Sequence, residues 1–245
     1  MIVREQAPRR TRYCVIVPVI NEGERIRRQL ARMAALPADL ILADGGSTDG
    51  SLDPLPPHVR TLLVKTGPGK LGAQLRMGFG YALAQGYEGV VLVDGNDKDD
   101  VSAIPRFVAL LAQGYDFVQG SRYAPGGRGI NTPKLRHWGV KLLHAPLISM
   151  AARFRYTDTT NGFRACSARL LQDPRVAPLR EIFTGYELHY YLAIRAARLG
   201  FRVAEVPVTR AYPSGGPLPS KISPVRGSLT VLRALFAAAA GRFNP

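Results

Sequence analysis

The first half of the chain carries four mostly apolar runs of six or seven residues: Tyr13–Val19, Asp39–Asp44, Val59–Lys65 and Gly89–Asp94. Near-continuous rather than alternating apolar character predicts strands buried on both faces. Between them, apolar residues return at helical spacing, as Ile26, Leu30 and Met33 do within Glu24–Met33. Leu71–Ala84 predicts a second helix, although Gly72, Gly78 and Gly80 lower its intrinsic propensity. Val101–Gln113 predicts a third, followed by a short strand at Asp116–Gln119. Strands alternating with helices define an α/β fold with a mostly parallel sheet flanked by helices. Ligands in such sheets lie beyond the carboxyl ends of the strands. The polar clusters that follow Val19, Ala43 and Val93 are therefore expected to share one rim.

The second half is less regular. Pro133–Arg153 predicts a long helix interrupted at Pro146, Tyr186–Leu199 another helix, and Arg202–Val206 a strand. A Pro/Gly-rich loop at Pro213–Pro219 leads to a last helix, Val225–Phe236, with Val225, Leu229, Leu232, Leu235 and Phe236 at helical spacing. No linker, repeat or low-complexity tract divides the chain, so residues 1–245 are expected to form a single domain.

Charge changes this picture. Residues 1–119 hold 14 Lys and Arg against 13 Asp and Glu, whereas residues 120–245 hold 19 against 5. Nearly all of the +15 net charge thus lies in the second half, which predicts a surface facing an anionic partner. Two cysteines, Cys14 and Cys166, exclude a disulfide framework and a cysteine-based zinc site. The longest apolar run, Ala234–Ala240, falls short of the roughly 20 residues of a membrane span. The N-terminal MIVREQAPRRTRY has no apolar signal region, so the expected compartment is the cytoplasm.

Three clusters carry candidate chemistry. In VDGNDKDD, Asp94 ends a strand, and Asp94 and Asn96 offer oxygens to a Mg²⁺ or Mn²⁺ ion bridging a diphosphate. Asp99 and Asp100 suit a helix start equally well. In the segment Asp44–Gly50, Asp44 can accept a hydrogen bond from a nucleobase, or the segment is an ordinary turn with Asp49 as its cap. Pro18–Glu24 reads as a strand end and helix start, with Asn21 or Glu22 as the cap. His58, His137, His144 and His189 show no ligand spacing, and Trp138 reads as packing.

Taken in order, PVINEGERI, LADGGSTDGS, GKLGAQLRMGFGYA, VVLVDGNDKDD, GSRYAPGG, TDTTNGFRA, GYELHYYLAIRAARLGFRVAEVPV and SKIS resemble the family 2 glycosyltransferases. The likeness runs from Val15 to Ser223 and is greatest to the dolichyl-phosphate mannose synthase group and its bacterial polyprenyl-phosphate relatives. It implies a Rossmann-like GT-A fold, with residues 1–119 as the nucleotide-sugar half and residues 120–245 as the basic acceptor half. Pro18 and Glu22 match positions lining the base and ribose, and Asp44 matches the first acid of the family's Asp-Asp-Gly-Ser, with Gly45 replacing the second. Lys70 falls near the nucleotide and Arg122 near the phosphates. Asp94 matches the first acid of the DxD motif, with Asn96 in place of the second. TDTTNGFR supplies Asp158, Asn161, Gly162 and Arg164. Glu187 stands where an acid serves as base for sugar-hydroxyl acceptors, and Arg210 and Lys221, with Ser220, match a late basic segment at the diphosphate and acceptor phosphate.

The resemblance implies inverting transfer from a nucleoside-diphosphate sugar, assisted by Mg²⁺ or Mn²⁺, to an acceptor such as a polyprenyl phosphate. A sugar-hydroxyl acceptor, a nucleotide-binding protein without catalysis, and a basic nucleic-acid-binding protein are the alternatives. With 10 Tyr, 9 Phe and 1 Trp and no RNA-binding motif, nucleic acid is not the expected partner. The last helix either closes the core or rests on an anionic membrane surface, making the protein peripheral at the inner membrane face.

Overall fold

The chain opens with an edge strand, β1 (Ile2–Glu5), whose four exposed residues carry no burial pattern for sequence reading to find. The computed structural model describes residues 1–214 and 226–245. The four apolar runs form β2 (Tyr13–Val19), β3 (Asp39–Asp44), β4 (Val59–Val64) and β5 (Gly89–Leu92). They are followed by β6 (Phe117–Ser121), β7 (Arg128–Ile130), β8 (Arg164–Ser167), β9 (Val203–Pro207) and β10 (Thr209–Ala211). Eight strands make one sheet in the order β1-β4-β3-β2-β5-β8-β6-β9. The pairs β4–β3, β3–β2, β2–β5 and β6–β9 are parallel, and β1 and β8 run antiparallel to their neighbours. The mixed α/β sheet is thus mostly parallel, as expected. The antiparallel β8 was not: its sequence, RACS, begins with a buried arginine and is too short to show a period.

β2 lies near the middle of the sheet and is buried on both sides. Cys14 and Ile16 join one core layer with Phe79, Phe183 and Leu192, while Val15, Val17 and Val19 join the other with Ile26, Leu30 and Phe107. Helices α1 (Glu24–Met33) and α3 (Ile104–Ala112) cover the second layer. Helices α2 (Leu71–Ala84), α5 (Ala145–Ala152), α7 (Glu187–Arg198) and α8 (Arg226–Ala239) cover the first. Two further short helices among the described residues are α4 (Lys134–Gly139) and α6 (Ala168–Gln172).

Between α4 and α5 the helix does not break at Pro146. Val140–His144 instead forms a π turn that joins the two segments. Pro146 has no N–H for the carbonyl four residues earlier, and the wider turn immediately before it accommodates that loss. Glycine within α2 also has a packing reason. A Cβ on Gly72 would lie 2.8 Å from the Phe183 carbonyl oxygen and the Gly185 nitrogen, so only glycine admits the loop before α7.

Candidate active site

The loops after β2, β3 and β5 are tied to one another at the carboxyl ends of their strands. Gly45 N–H donates to the Val19 carbonyl (2.8 Å) and Gly95 N–H to that of Pro18 (3.2 Å). The Gln74 amide, from α2, donates to the carbonyls of Val19 and Ala43, both at 2.8 Å. Asn21 N–H donates to Ser47 Oγ at 3.0 Å, and Thr48 N–H donates back to Asn21 Oδ1 at 2.8 Å. The three polar clusters therefore share one rim.

On the β2–β3 side, Pro18 is half-buried in register with Ala43. Glu22 accepts from Arg25 at 2.9 Å. Asp44 is buried, and its carboxylate accepts from Ser47 N–H (3.0 Å to each oxygen) and Ser47 Oγ (2.6 Å), closing its own turn. Asp49 accepts from Gly23 N–H at 2.8 Å and so fixes the entry to α1. Lys70 is exposed at the start of α2, where its backbone N–H donates to the Thr184 carbonyl at 2.8 Å.

The four acids of the loop after β5 have four different fates. Asp97 leaves the site: its carboxylate pairs with Arg32 at 2.6 Å and Arg28 at 3.1 Å on α1. Asp100 accepts from Ser102 N–H at 3.1 Å and caps the 3₁₀ turn that leads into α3. Asp94 and Asp99 both face Arg210. Arg210 Nη2 lies 3.1 Å from Asp94 Oδ2, and Nη1 pairs with Asp99 Oδ2 and reaches Asn161 Oδ1 at 3.3 Å. The loop and β10 are also stitched by backbone: Ala211 N–H donates to the Lys98 carbonyl (2.8 Å) and Asp100 N–H to that of Thr209 (3.0 Å). Asp94 and Arg210, 116 residues apart in sequence, are thereby brought together.

Electrostatics follow from this burial. Burial pushes the Asp94 carboxyl up, but the Arg210 charge prevails and holds it below its ordinary value. For Asp99 burial wins, and its carboxyl is raised. Burial opposes the Arg210 charge, yet Asp99 and Asp94 raise its pKa overall. Burial and the neighbouring Arg210 bring Lys98 down to about 8.

Gly162 borders Asp94 so closely that a Cβ there would lie 2.5 Å from Asp94 Oδ1. That contact explains the glycine of the Asn161–Gly162–Phe163 turn. Arg164 is fully buried and, among the described residues, pairs with no carboxylate. It donates instead to the carbonyls of Asn161 (2.9 Å), Thr159 (2.8 Å) and His189 (2.5 Å), holding that turn in place.

Asn96 places its amide nitrogen 3.4 Å from Asp94 Oδ2, and among the described residues its Oδ1 is buried with no partner. An orphaned acceptor beside a carboxylate is the donor pair that a hard cation uses. Among the described residues no three His, Cys, Asp or Glu converge to form a complete cage. Magnesium sites of one or two carboxylates are ordinarily completed by substrate phosphates and water, so Asp94 and Asn96 fit such an ion.

A second group, which sequence reading did not assemble, lies against Arg210. Tyr212 Oη accepts from Arg136 at 3.1 Å and Arg122 at 3.3 Å. Lys98, Arg136 and Arg210 lie over its ring at 5.3, 5.5 and 5.9 Å. Burial pushes its hydroxyl up, but Arg210, Arg122 and Arg136 together bring it below its ordinary value. Arg122 itself is buried and bidentate on Asp158, with Nε–Oδ2 at 2.6 Å and Nη2–Oδ1 at 2.9 Å. His189, which reads as one of four scattered histidines, is buried and brought down to about 3 by burial and the Arg164 charge, so it is neutral at pH 7. Only the topology shows these neighbours, because Lys98, Arg122, Arg136 and Arg210 come from four separate segments.

Glu187, at the start of α7, accepts from the Thr184 and Gly185 backbone N–H groups, the latter at 2.5 Å. It thus holds the loop that receives Lys70. Lys221 and Ser220 lie outside the described residues.

Residues 14–174 match the family described as glycosyl transferase family 2. The chain belongs to that family and is a glycosyltransferase. It is 32% identical over 210 residues to the undecaprenyl-phosphate mannosyltransferase of Micrococcus luteus, covering 81% of this chain and 83% of that protein. It is 30% identical over 213 residues to the polyprenol monophosphomannose synthase of Mycolicibacterium smegmatis, covering 81% and 77%. Among solved structures, S. aureus TarS 1-349 in complex with UDP matches with a TM-score of 0.56 at 17% identity, over 92% of this chain and 64% of that one. At that identity the likeness speaks to fold, and it agrees with the GT-A architecture expected from the motifs.

Proposed function

We propose that the chain transfers a sugar from a nucleoside-diphosphate sugar to a polyprenyl phosphate, with inversion at the anomeric carbon. The observation that carries this reading is the cationic group beside the acid loop: Lys98, Arg136 and Arg210 around Tyr212, adjoining Asp94. Such a group suits an anionic acceptor, and the two relatives are named an undecaprenyl-phosphate mannosyltransferase and a polyprenol monophosphomannose synthase. It also gives the basic half, residues 120–245, an acceptor-facing role beside the nucleotide-sugar half of the same single domain.

In this reading the base and ribose lie along Pro18, Glu22 and Asp44, with Lys70 at the mouth of the nucleotide groove. Asp94 and Asn96 hold Mg²⁺ or Mn²⁺, which when bound offsets charge on the diphosphate. Arg210 is positioned to stabilise the same developing charge from the β10 side. An acceptor phosphate oxygen attacks the anomeric carbon, and the bond to the diphosphate oxygen breaks with its electron pair leaving on the diphosphate. The phosphate is ionised at neutral pH, so no side chain takes a proton, and Glu187 is left to its hydrogen bonds with the loop before α7. Arg122 acts through Asp158 and Tyr212 by ordering the phosphate side of the site. Lys221 is assigned to the diphosphate by resemblance alone. The acceptor brings the enzyme to the cytoplasmic face of a membrane as a peripheral protein, and nucleic acid is not among its partners.

The test is transfer from a panel of radiolabelled UDP- and GDP-sugars to a detergent-dispersed short-chain polyprenyl phosphate, with the product's anomeric configuration read by NMR. Metal-dependent formation of an inverted glycosyl phosphate is the expected result. Transfer to sugar hydroxyls alone, abolished in Glu187→Gln, would overturn the acceptor assignment.

A further inference from the structure

Outside the site, the feature without an assignment is an apolar stripe on the helix that begins at Lys134. Leu135 is 88% exposed, Leu142 71% and Trp138 56%. Steps of three and four residues align them along one side of the helix. The buried positions Val140, Ala145 and Ile148 take the other side, the step of five between the first two being that of the π turn. Single exposed leucines are ordinary, but a row on one element marks an interaction surface.

Charge identifies the partner. Lys134, Arg136 and Lys141 are interleaved with the stripe, and residues 117–157 contain seven Lys and Arg with no Asp or Glu. A second copy of the chain would set this positive surface against itself, whereas anionic lipid headgroups complement it. The same helix also reaches the site. Arg136 donates to Tyr212, the His137 ring meets Tyr123 at 5.1 Å, and Lys141 lies 5.2 Å over Tyr123.

We propose that the face carrying Leu135, Trp138 and Leu142 docks the enzyme on an anionic lipid bilayer. The last helix is not required for this contact. α8 buries Leu235 and Ala238 in the core and leaves Leu229 and Phe236 outside, so it closes the fold. The proposal rests on the polyprenyl-phosphate reading and deepens it by naming the surface that meets the acceptor's membrane; vesicle binding tests it, and transfer to a dispersed acceptor separates its failure from that of the reading.

Trp138 is the chain's single tryptophan, so fluorescence excited selectively at tryptophan, away from the ten tyrosines, reports on this surface alone. Protein is titrated with phosphatidylcholine vesicles, with and without phosphatidylglycerol, across a salt series. Trp138 emission should move to shorter wavelength with the anionic vesicles, be quenched by lipids brominated in the acyl chain, and lose affinity as salt rises. Leu135→Ser and Leu142→Ser should each weaken partitioning by about tenfold. Both should keep the wild-type melting curve and transfer to a detergent-dispersed acceptor at the wild-type rate. Three results would overturn the surface: unchanged Trp138 emission on anionic vesicles at low salt; a blue shift that follows protein concentration without lipid, which means self-association; or vesicle binding lost in Leu229→Ser/Phe236→Ser but kept in Leu135→Ser/Leu142→Ser. In each case, retained transfer to the dispersed acceptor would leave the polyprenyl-phosphate reading standing.

Discussion

Replacing Arg210 by Met removes one cation from between two carboxylates. The side chains of Arg210 and Asp99 are 7% and 0% exposed, and that of Asp94 24%. Deleting one partner of a buried, hydrogen-bonded ion pair costs about 3–5 kcal/mol, mostly because the remaining charge is stranded. Here two acids are affected, and Asp99, whose carboxyl burial already pushes up, is the one whose stranded charge is the more readily neutralised. The expected loss in Arg210→Met is therefore about 3 kcal/mol at pH 7, the lower end of that range. It should shrink toward pH 5, where the stranded carboxyls take up protons. Urea unfolding followed by circular dichroism measures it. Arg210→Met/Asp99→Asn should recover part of the stability, because no charge then remains at the fully buried position. It should not recover transfer, since the diphosphate has still lost its counter-charge, which for one oriented donor is about 10²–10³ in rate. An Arg210→Met protein with the wild-type urea midpoint would refute the buried clamp, and a double variant with restored transfer would refute the catalytic role.

Other outcomes follow from the same geometry. Asp94→Asn should abolish most transfer and weaken metal-dependent nucleotide binding, measured by calorimetry with and without Mn²⁺; Glu187→Gln should retain far more activity, because its amide oxygen still accepts from the Thr184–Gly185 backbone. Asp44→Ala should raise the donor KM more than it lowers kcat, read from steady-state kinetics, with a modest stability loss of about 1 kcal/mol from the opened Ser47 turn. Burial raises the Asp158 carboxyl, but Arg122 overcomes this and holds it below the ordinary range. Its contribution to stability is therefore complete above about pH 4 and lost as pH falls through the folded value. Urea midpoints between pH 5 and 3 should fall less steeply in Asp158→Asn than in wild type.

The parallel half of the sheet and its helices were legible because β2, β3 and β5 are apolar on both faces and flanked by periodic helices. Asp94 stood out in the sequence as a carboxylate following a buried strand, and the structure places it two residues beyond β5, against Arg210. β1, β7, β8 and β10 were not legible, being three or four residues long and, in β8, built around a buried arginine. The cluster around Tyr212 was illegible for a different reason. Lys98, Arg122, Arg136 and Arg210 sit in unrelated local patterns, and only the pairing of β10 with β7 and with the acid loop collects them. Asp99 and Asp100 were equivalent on paper, but one bonds a cation from the far end of the chain and the other caps the turn beside it.

The seam between the acid loop and β10 has a consequence for the divisibility of the enzyme. Asp94 and Arg210, from opposite parts of the chain, belong to one ladder of backbone and side-chain bonds, joined at Lys98–Ala211, Asp99–Arg210 and Asp100–Thr209. A hybrid taking residues 1–119 from one relative and the remainder from another would cut across all three. A junction at residue 119 therefore preserves the Asp99–Arg210 pair only where both parents carry it, and a breakpoint that keeps this seam intact takes residues 94–100 and 209–212 from the same parent.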